Sequence, residues 1–288
     1  RKYYDLTDER SAHINKLKGD LHTVFPQYLD VFCDVTGKTS TMILRQYGTP
    51  DKILRGHKKT MIEKISKASR KGLAKASERY EKLCAAANAA KTFGCQIDSI
   101  YFNIFLTLDL VEKLDSALDS ILNRIRQLIT FNKNEKFIQQ IKLLNTIPGV
   151  GFLTAVTIMC EIGDFSAFRN PKQLFAYFGL DPEVNESGKF VGTQLHMSKR
   201  GSRIARRAIF AVALASIRTK RNGEGINPYL RKYYELKSGQ KPKMVAIGAV
   251  MHKVCNIVFA VLRDEKAFEL RSPEEHCKQY QRPALAAA

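Results

Sequence analysis

The fold is decided by a stretch of the 288-residue chain that begins at residue 100 and reads IYFNIFLTLDLVEKLDSALDSILNRIRQLI. Apolar side chains recur in it at alternating steps of four and three residues, which is the spacing of one helix face. The seam consists of Ile100, Ile104, Thr107, Val111, Leu114, Leu118, Ile121, Ile125 and Leu128. Four heptads of this kind favour a coiled coil. One helix of a bundle core is the alternative, because further leucines and isoleucines widen the apolar stripe.

The regions on either side of the seam also read as helices. Upstream, an amphipathic helix is predicted from Asp8 to Phe25, and the composition from Ser66 to Ala90 is rich in the strong helix formers Ala, Lys and Glu. Downstream, the predicted helices are Ser202 to Thr219, Pro228 to Leu236 and Lys243 to Leu262, and Phe190, Val191 and Leu195 suit a small β-hairpin. The sequence therefore predicts a mainly α protein, in which a long helical or coiled-coil region precedes a compact helical domain.

A Pro-Gly-x-Gly turn interrupts the helical pattern between Leu144 and Ala155. This arrangement is typical of a helix-hairpin-helix, and Gly149 and Gly151 would let backbone amides approach a phosphate without an intervening Cβ. An ordinary helix–helix turn is the alternative. Beside a basic segment, contact with a DNA backbone is favoured.

The charge of the chain indicates a polyanionic partner. Its 47 Lys and Arg residues outnumber 28 Asp and Glu residues, giving a formal charge of +19. Double-stranded DNA is the expected partner. An anionic membrane surface would also attract such a charge, but we expect no apolar run near the roughly 20 residues that a spanning helix requires.

The basic excess surrounds a pair of serines, Ser198 and Ser202, at the start of a predicted helix. Helix N-termini bind anions through unpaired N–H groups and a partial positive charge. The predicted DNA contacts are Lys199, Arg200, Arg203, Arg206 and Arg207, and Lys241 and Lys243 are candidates for a second phosphate contact. We expect Arg200, Arg203 and Arg207 to share one helix face, with Arg206 slightly off it.

A serine in this position has two interpretations. Either Ser198 or Ser202 caps the helix while the arginines form a solvated face, or a serine binds or attacks a phosphodiester. No carboxylate lies near Ser198 in sequence, so the sequence shows no general base. His196 is the only close candidate, and a lone histidine is more often structural.

Six cysteines are scattered without a C-x-x-C pair, which suggests neither a zinc site nor a disulfide framework and is typical of a reducing cytoplasm. The adjacent His276 and Cys277 do not have the spacing of metal ligands. We therefore expect no metal to be bound by this chain.

The order of the motifs resembles one family. It runs from Ile147-Pro148-Gly149-Val150-Gly151 through Phe165, Phe168, Ala176-Tyr177-Phe178-Gly179-Leu180-Asp181-Pro182 and Ser187-Gly188 to Ser198-Lys199-Arg200-Gly201 and Ala260-Val261-Leu262. This order, over roughly residues 143–268, is similar to the carboxy-terminal domain of the IS one-ten group of insertion-sequence transposases, which in turn resemble the Piv-type DNA invertases.

The resemblance implies a site-specific recombinase in which Ser198 is the nucleophile and forms a phosphoserine intermediate with DNA. It also implies a structured guide RNA as a second partner and a prokaryotic, DNA-associated protein. Mg²⁺ is expected only at the DEDD, RuvC-like nuclease domain of family members, which would complete the active centre. A non-catalytic DNA-binding and dimerisation module, or a helical RNA-binding scaffold, remains an alternative.

The resemblance also predicts the domain organisation. Residues 1–58 are interpreted as the end of a RuvC-like domain without its acidic metal-binding core, and residues 59–140 as a coiled-coil region that forms a homodimer or higher oligomer. Residues 141–270 are the expected transposase domain. Because the chain begins with Arg1 and ends in an alanine-rich segment, we interpret it as a fragment, with residues 271–288 as a tail.

Overall fold

The computed structural model describes residues 1–95, 97–183, 186–187, 190–191 and 196–275. Contacts divide the chain into two compact units, residues 1–126 and 127–288. Both units are built mainly from α-helices, which confirms the predicted fold class.

The first unit contains α1 (Lys2–Val24), α2 (Tyr28–Val31), α3 (Lys38–Gln46), α4 (Pro50–Arg55), α5 (Lys58–Ser69), α6 (Leu73–Phe93) and most of α7 (Asp98–Thr130). Helix α6 packs against α2, α4 and α5. The composition did not reveal the break between α5 and α6. Arg70 adopts a left-handed conformation with φ of 53° and ends α5, and Gly72 then begins the next helix.

One hydrophobic core extends through this unit, from Leu17 and Leu21 in α1 to Leu83 in α6 and Ile104 and Leu108 in α7. The structure therefore does not divide the chain at residue 58, since residues 1–58 share a core with the helices that follow them. The amino-terminal half of the α7 seam is buried in this core, whereas Leu128 at its carboxy-terminal end is 55% exposed.

The second unit contains α8 (Glu135–Leu144), α9 (Phe152–Ile162), a 3₁₀ turn (Phe165–Ala167), α10 (Pro171–Tyr177), α11 (Arg203–Ile217), α12 (Pro228–Ser238) and α13 (Lys243–Asp264). Two short strands, β1 (Glu186–Ser187) and β2 (Phe190–Val191), pair antiparallel. Leu195, assigned to the predicted hairpin, lies outside the described residues, as do His276 and Cys277. The other five cysteines are free thiols.

Helix α13 is the centre of the second unit and packs against α8, α10, α11 and α12. At 22 residues it is, by length and composition, the one described helix that could cross a membrane, contrary to the expectation that no apolar run approaches this length. Its apolar residues, among them Val250, Val254 and Val258, are buried among the other helices. The role of a core helix accounts for this composition.

Candidate active site in the serine loop

The backbone of residues 196–201, here called the serine loop, runs antiparallel to residues 179–183. The amide of Ser198 donates to the carbonyl of Asp181 at 2.8 Å, and that of Lys199 donates to Gly179 at 3.0 Å. On the other side of Ser198, the amide of Glu183 donates to the carbonyl of His196 at 2.7 Å. These bonds fix the register between two segments that are well separated in sequence.

The hydroxyl of Ser198 faces a carboxylate in this register. Its Oγ donates to Oδ1 of Asp181 at 2.6 Å, across 17 positions of sequence, and both residues are half-buried. The ring of His196, the base candidate that sequence proximity suggested, belongs to an exposed residue. Sequence reasoning therefore missed Asp181 as the residue that contacts the serine.

Ser202, rather than Ser198, caps the following helix. Its Oγ accepts hydrogen bonds from the amides of Ile204 at 3.2 Å and Ala205 at 3.1 Å, at the N-terminus of α11. This resolves the ambiguity between the two serines in favour of Ser202 as the cap. The hydroxyl of Ser198 is left for another role.

Two glycines allow the loop to approach its neighbours closely. Gly179 has φ of +65°, and a Cβ on Gly201 would lie 2.6 Å from the backbone nitrogen of Gly179. Between them, Lys199 has φ of 54°, a left-handed conformation that is uncommon for a residue with a side chain. The loop is therefore held in a narrowly defined conformation by backbone packing.

Arg206 also fixes this conformation. Its Nη1 donates to the carbonyls of Gly201 at 2.7 Å and of Phe178 and Lys199 at 3.2 Å each. The guanidinium of Arg206, a predicted DNA contact, thus points at the base of the serine loop and joins it to the end of α10. We assign it a positioning role.

The remaining predicted DNA contacts lie around the loop but not on one helix face. Lys199 and Arg200 are exposed residues of the loop itself, and Arg203 is the exposed first residue of α11. Arg207 follows one turn later and is half-buried. The expectation that Arg200 shares a helix face with Arg203 and Arg207 is wrong, because the helix begins only after the cap at Ser202.

The other two candidate cations begin α13. Lys243 is its first residue, Lys241 lies two positions earlier, and both are exposed. The N-cap residue, Pro242, makes no side-chain capping bond, so the N-terminus of α13 lies beside two positive charges without a side-chain cap.

The Pro-Gly-x-Gly turn joins α8 to α9, and its two glycines differ in environment. Gly149 has φ of +96° and packs against Ser216 of α11, whose buried Oγ donates to the carbonyl of Pro148 at 2.9 Å. Gly151 is exposed at the N-cap of α9, with no atom within 4 Å of a Cβ built on it. Gly151 is therefore the better placed of the two to contact a phosphate.

Among the described residues, no three His, Cys, Asp or Glu side chains come together in a way that could hold a metal ion. The resemblance implies Mg²⁺ at the DEDD domain of family members, and the described residues form no such site.

Comparisons with known proteins agree with the motif order. Residues 141–235 match the family model described as Transposase IS116/IS110/IS902 family. A protein of insertion element IS110 from Streptomyces coelicolor is 24% identical over 272 residues, covering 93% of this chain and 63% of the relative. The pilin gene-inverting protein of Moraxella bovis is 30% identical over 177 residues, covering 61% of this chain and 52% of the relative.

These comparisons show that the chain is similar to proteins of mobile and invertible DNA elements. More particularly, residues 141–235 are similar to the transposase domain of the IS116/IS110/IS902 family, and the resemblance inferred from the motifs is confirmed. A transposase of insertion sequence element IS1111A from Coxiella burnetii is also similar, at 26% identity over 188 residues, or 63% of this chain and 50% of the relative. The chain spans 50 to 63% of the length of these relatives.

Proposed function

We propose that this chain is part of a DNA transposase or site-specific recombinase and that Ser198 is its nucleophile. The observation that carries the proposal is the placement of the Ser198 hydroxyl. It lies in a hydrogen-bonded loop beside Lys199 and Arg200 and is not used as the helix cap. The family relationship of residues 141–235 supports the reaction class.

The proposed step is a transesterification. The Oγ–P bond forms as one P–O bond of the DNA strand breaks, and the strand remains attached as a phosphoserine. Because one phosphodiester replaces another, the energy for rejoining is retained. Lys199, Arg200 and Arg203 would stabilise the negative charge that develops on the non-bridging oxygens. Lys241, Lys243 and the amide of Gly151 are proposed to hold the duplex further from the reacting phosphate.

In this proposal the complete reaction requires a DEDD domain in addition to this chain. A DEDD domain with Mg²⁺ would complete the active centre, since phosphoryl transfer depends on positioning and charge neutralisation. We therefore expect the chain alone to be inactive or poorly active. A structured guide RNA is proposed as a second partner of the intact protein, and α7 as the helix through which two copies associate.

The test is a covalent trap. The chain is mixed with nicked DNA substrates and Mg²⁺, with and without a separately supplied DEDD domain, and is then run on a denaturing gel. We expect an adduct that needs the second domain and disappears in Ser198→Ala, while the affinity for DNA changes little. Tight DNA binding without an adduct in either mixture would reject Ser198 as nucleophile.

That negative result would favour the alternative function, a DNA-binding and dimerisation module. The partly exposed carboxy-terminal half of the α7 seam is the observation that supports it. Salt dependence separates DNA from RNA as the main partner, because the slope of log affinity against log salt reports the number of phosphates contacted. A steeper slope on structured RNA than on duplex DNA would favour an RNA-binding scaffold.

A further inference from the structure

The carboxylate of Asp181 contacts the nucleophile proposed above but is not needed to hold the loop. Two backbone bonds, from Ser198 to Asp181 and from Lys199 to Gly179, already fix the register of the two segments. Arg206 adds three bonds to carbonyls at the base of the loop. The side-chain bond between Ser198 and Asp181 is therefore an addition to a scaffold that is complete at the level of the backbone.

The geometry of this bond suits proton transfer. At 2.6 Å, the distance from Oγ of Ser198 to Oδ1 of Asp181 is in the range of hydrogen bonds between a hydroxyl and an ionised oxygen. A general base must lie within hydrogen-bond reach of the proton that it removes, and Asp181 meets this condition before any substrate binds. Lys199 and Arg200, the cations of the serine loop, directly follow Ser198 in the sequence.

We propose that Asp181 is the general base of the serine loop, which removes the proton of Ser198 as its Oγ attacks phosphorus. This inference rests on the proposed function for its DNA substrate, but the serine–aspartate pair is a property of this chain alone.

The step balances as follows in atoms and charge. The Oγ–P bond forms, the proton of Ser198 moves to Oδ1 of Asp181, and one P–O bond of the DNA breaks. The departing alkoxide takes a proton from water. In the reverse direction a strand hydroxyl attacks the phosphoserine and gives its proton to water, and Asp181 returns its own proton to Oγ as the Oγ–P bond breaks.

The chain contains a second serine–aspartate pair that serves as a matched control. The hydroxyl of Ser166 donates to Oδ2 of Asp164 at 2.7 Å, close to the distance in the first pair. The amide of Ser166 donates to the other carboxylate oxygen at 2.9 Å, and Asp164 caps a 3₁₀ turn. These bonds lower the pKa of Asp164 and so make it a weaker base.

The experiment uses diisopropyl fluorophosphate, which tests the serine without DNA, guide RNA or metal. Attack by Ser198 forms the Oγ–P bond and expels fluoride, while the proton moves to Asp181. The whole chain is incubated with the reagent, and the rate at which each serine is modified is followed by mass spectrometry of its peptides. We expect Ser198 to be modified at least tenfold faster than Ser166, and Asp181→Asn to reduce its rate about a hundredfold, within the usual range for general-base catalysis.

Asparagine keeps an oxygen that can accept the Ser198 hydrogen bond, so it separates base chemistry from positioning. Thermal unfolding of Asp181→Asn should match that of the unchanged chain. A Ser198 rate that stays within threefold in Asp181→Asn would overturn the proposal, as would a rate in the unchanged chain no faster than that of Ser166. If Asp181→Asn lowers the melting temperature, a second comparison separates the two roles. Ser198→Cys is treated with a thiol-directed phosphorylating reagent, with and without Asp181→Asn. Because a thiol ionises more readily than a hydroxyl, the modification rate of the cysteine should depend on Asp181 much less than that of Ser198, and equal dependence would indicate that Asp181 only positions the side chain.

The outcome is separable from that of the proposed function. Rapid, Asp181-dependent modification without any DNA adduct would reject the DNA reaction and leave the pair intact. A DNA adduct that forms equally fast in Asp181→Asn would reject the general base and leave the nucleophile intact.

Discussion

Gly201 and Gly179 lie in direct backbone contact, so that a Cβ on Gly201 would come within 2.6 Å of the nitrogen of Gly179. This contact joins the serine loop to the segment that carries Asp181. Residues 176–182 and residues 198–201 therefore each supply half of one packed backbone arrangement.

We expect Gly201→Ala to lower the free energy of unfolding by about 1 to 3 kcal/mol, the usual cost of forcing extra volume into a packed site. Gly248→Ala is the control, because Gly248 lies within α13 and a Cβ there meets no atom within 4 Å. Replacing a helical glycine should stabilise by roughly 0.5 to 1 kcal/mol. Urea unfolding of the two variants measures both changes, and equal stability would contradict the packing described for Gly201.

Two arginines near the loop should behave differently. Arg206→Ala removes three hydrogen bonds to carbonyls and should destabilise the protein by about 2 kcal/mol. Arg200→Ala removes an exposed cation and should change stability by less than about 0.5 kcal/mol. It should instead lower the salt slope of DNA binding by roughly one. Salt titrations of DNA binding and thermal melts check both expectations. If Arg206→Ala lowers the salt slope while leaving stability unchanged, Arg206 contacts DNA instead of the carbonyls.

Substitutions of Ser198 and Ser202 should also have different effects. Ser202→Ala removes the cap of α11 and should cost about 1 kcal/mol of stability while leaving adduct formation measurable. Ser198→Ala should abolish the adduct even with the DEDD domain supplied. Adduct mapping by peptide mass spectrometry gives the answer, and a phosphopeptide centred on Ser202 would refute the assignment.

The glycines of the turn between α8 and α9 allow a test of the helix-hairpin-helix proposal. Gly149→Ala places a side chain at a φ of +96°, with its Cβ 2.9 Å from Oγ of Ser216. We therefore expect the free energy of unfolding to fall by about 1 to 3 kcal/mol. Gly151→Ala meets no neighbouring atom and should leave stability nearly unchanged. If Gly151 approaches a phosphate, this second variant should weaken DNA binding at equal stability. Unchanged affinity would make the turn a structural connection only.

The carboxy-terminal half of α7 should determine the oligomeric state. Leu128 lies on the apolar seam and is 55% exposed. Leu128→Glu should therefore convert a dimer to monomer in sedimentation equilibrium. Asn123→Glu, an exposed off-seam position of the same helix, is the control. A monomeric unchanged chain, or a dimer in both variants, would show that copies do not associate through this seam.

Much of the fold follows from local sequence patterns. Asn-Pro pairs mark the starts of α10 and α12, where Asn170 and Asn227 each cap the amide three residues later. The predicted bounds of α11, α12 and α13 are within two residues of those observed. The break after α5 was not predicted, because a left-handed Arg70 has no strong sequence signature.

The sequence by itself determined the helical class, the basic surroundings of Ser198 and the similarity of residues 141–235 to a transposase family. Periodicity, charge and motif order are properties of a linear chain and need no tertiary structure. Tertiary structure alone decided which serine caps the helix, that Arg206 points at carbonyls, and that Asp181 meets Ser198 across 17 positions. Those relationships depend on a backbone register between separate segments, which backbone hydrogen bonds fix and the close packing of Gly179 against Gly201 permits. The signal that could have indicated Asp181 was its place as the one carboxylate in the Gly179–Pro182 motif.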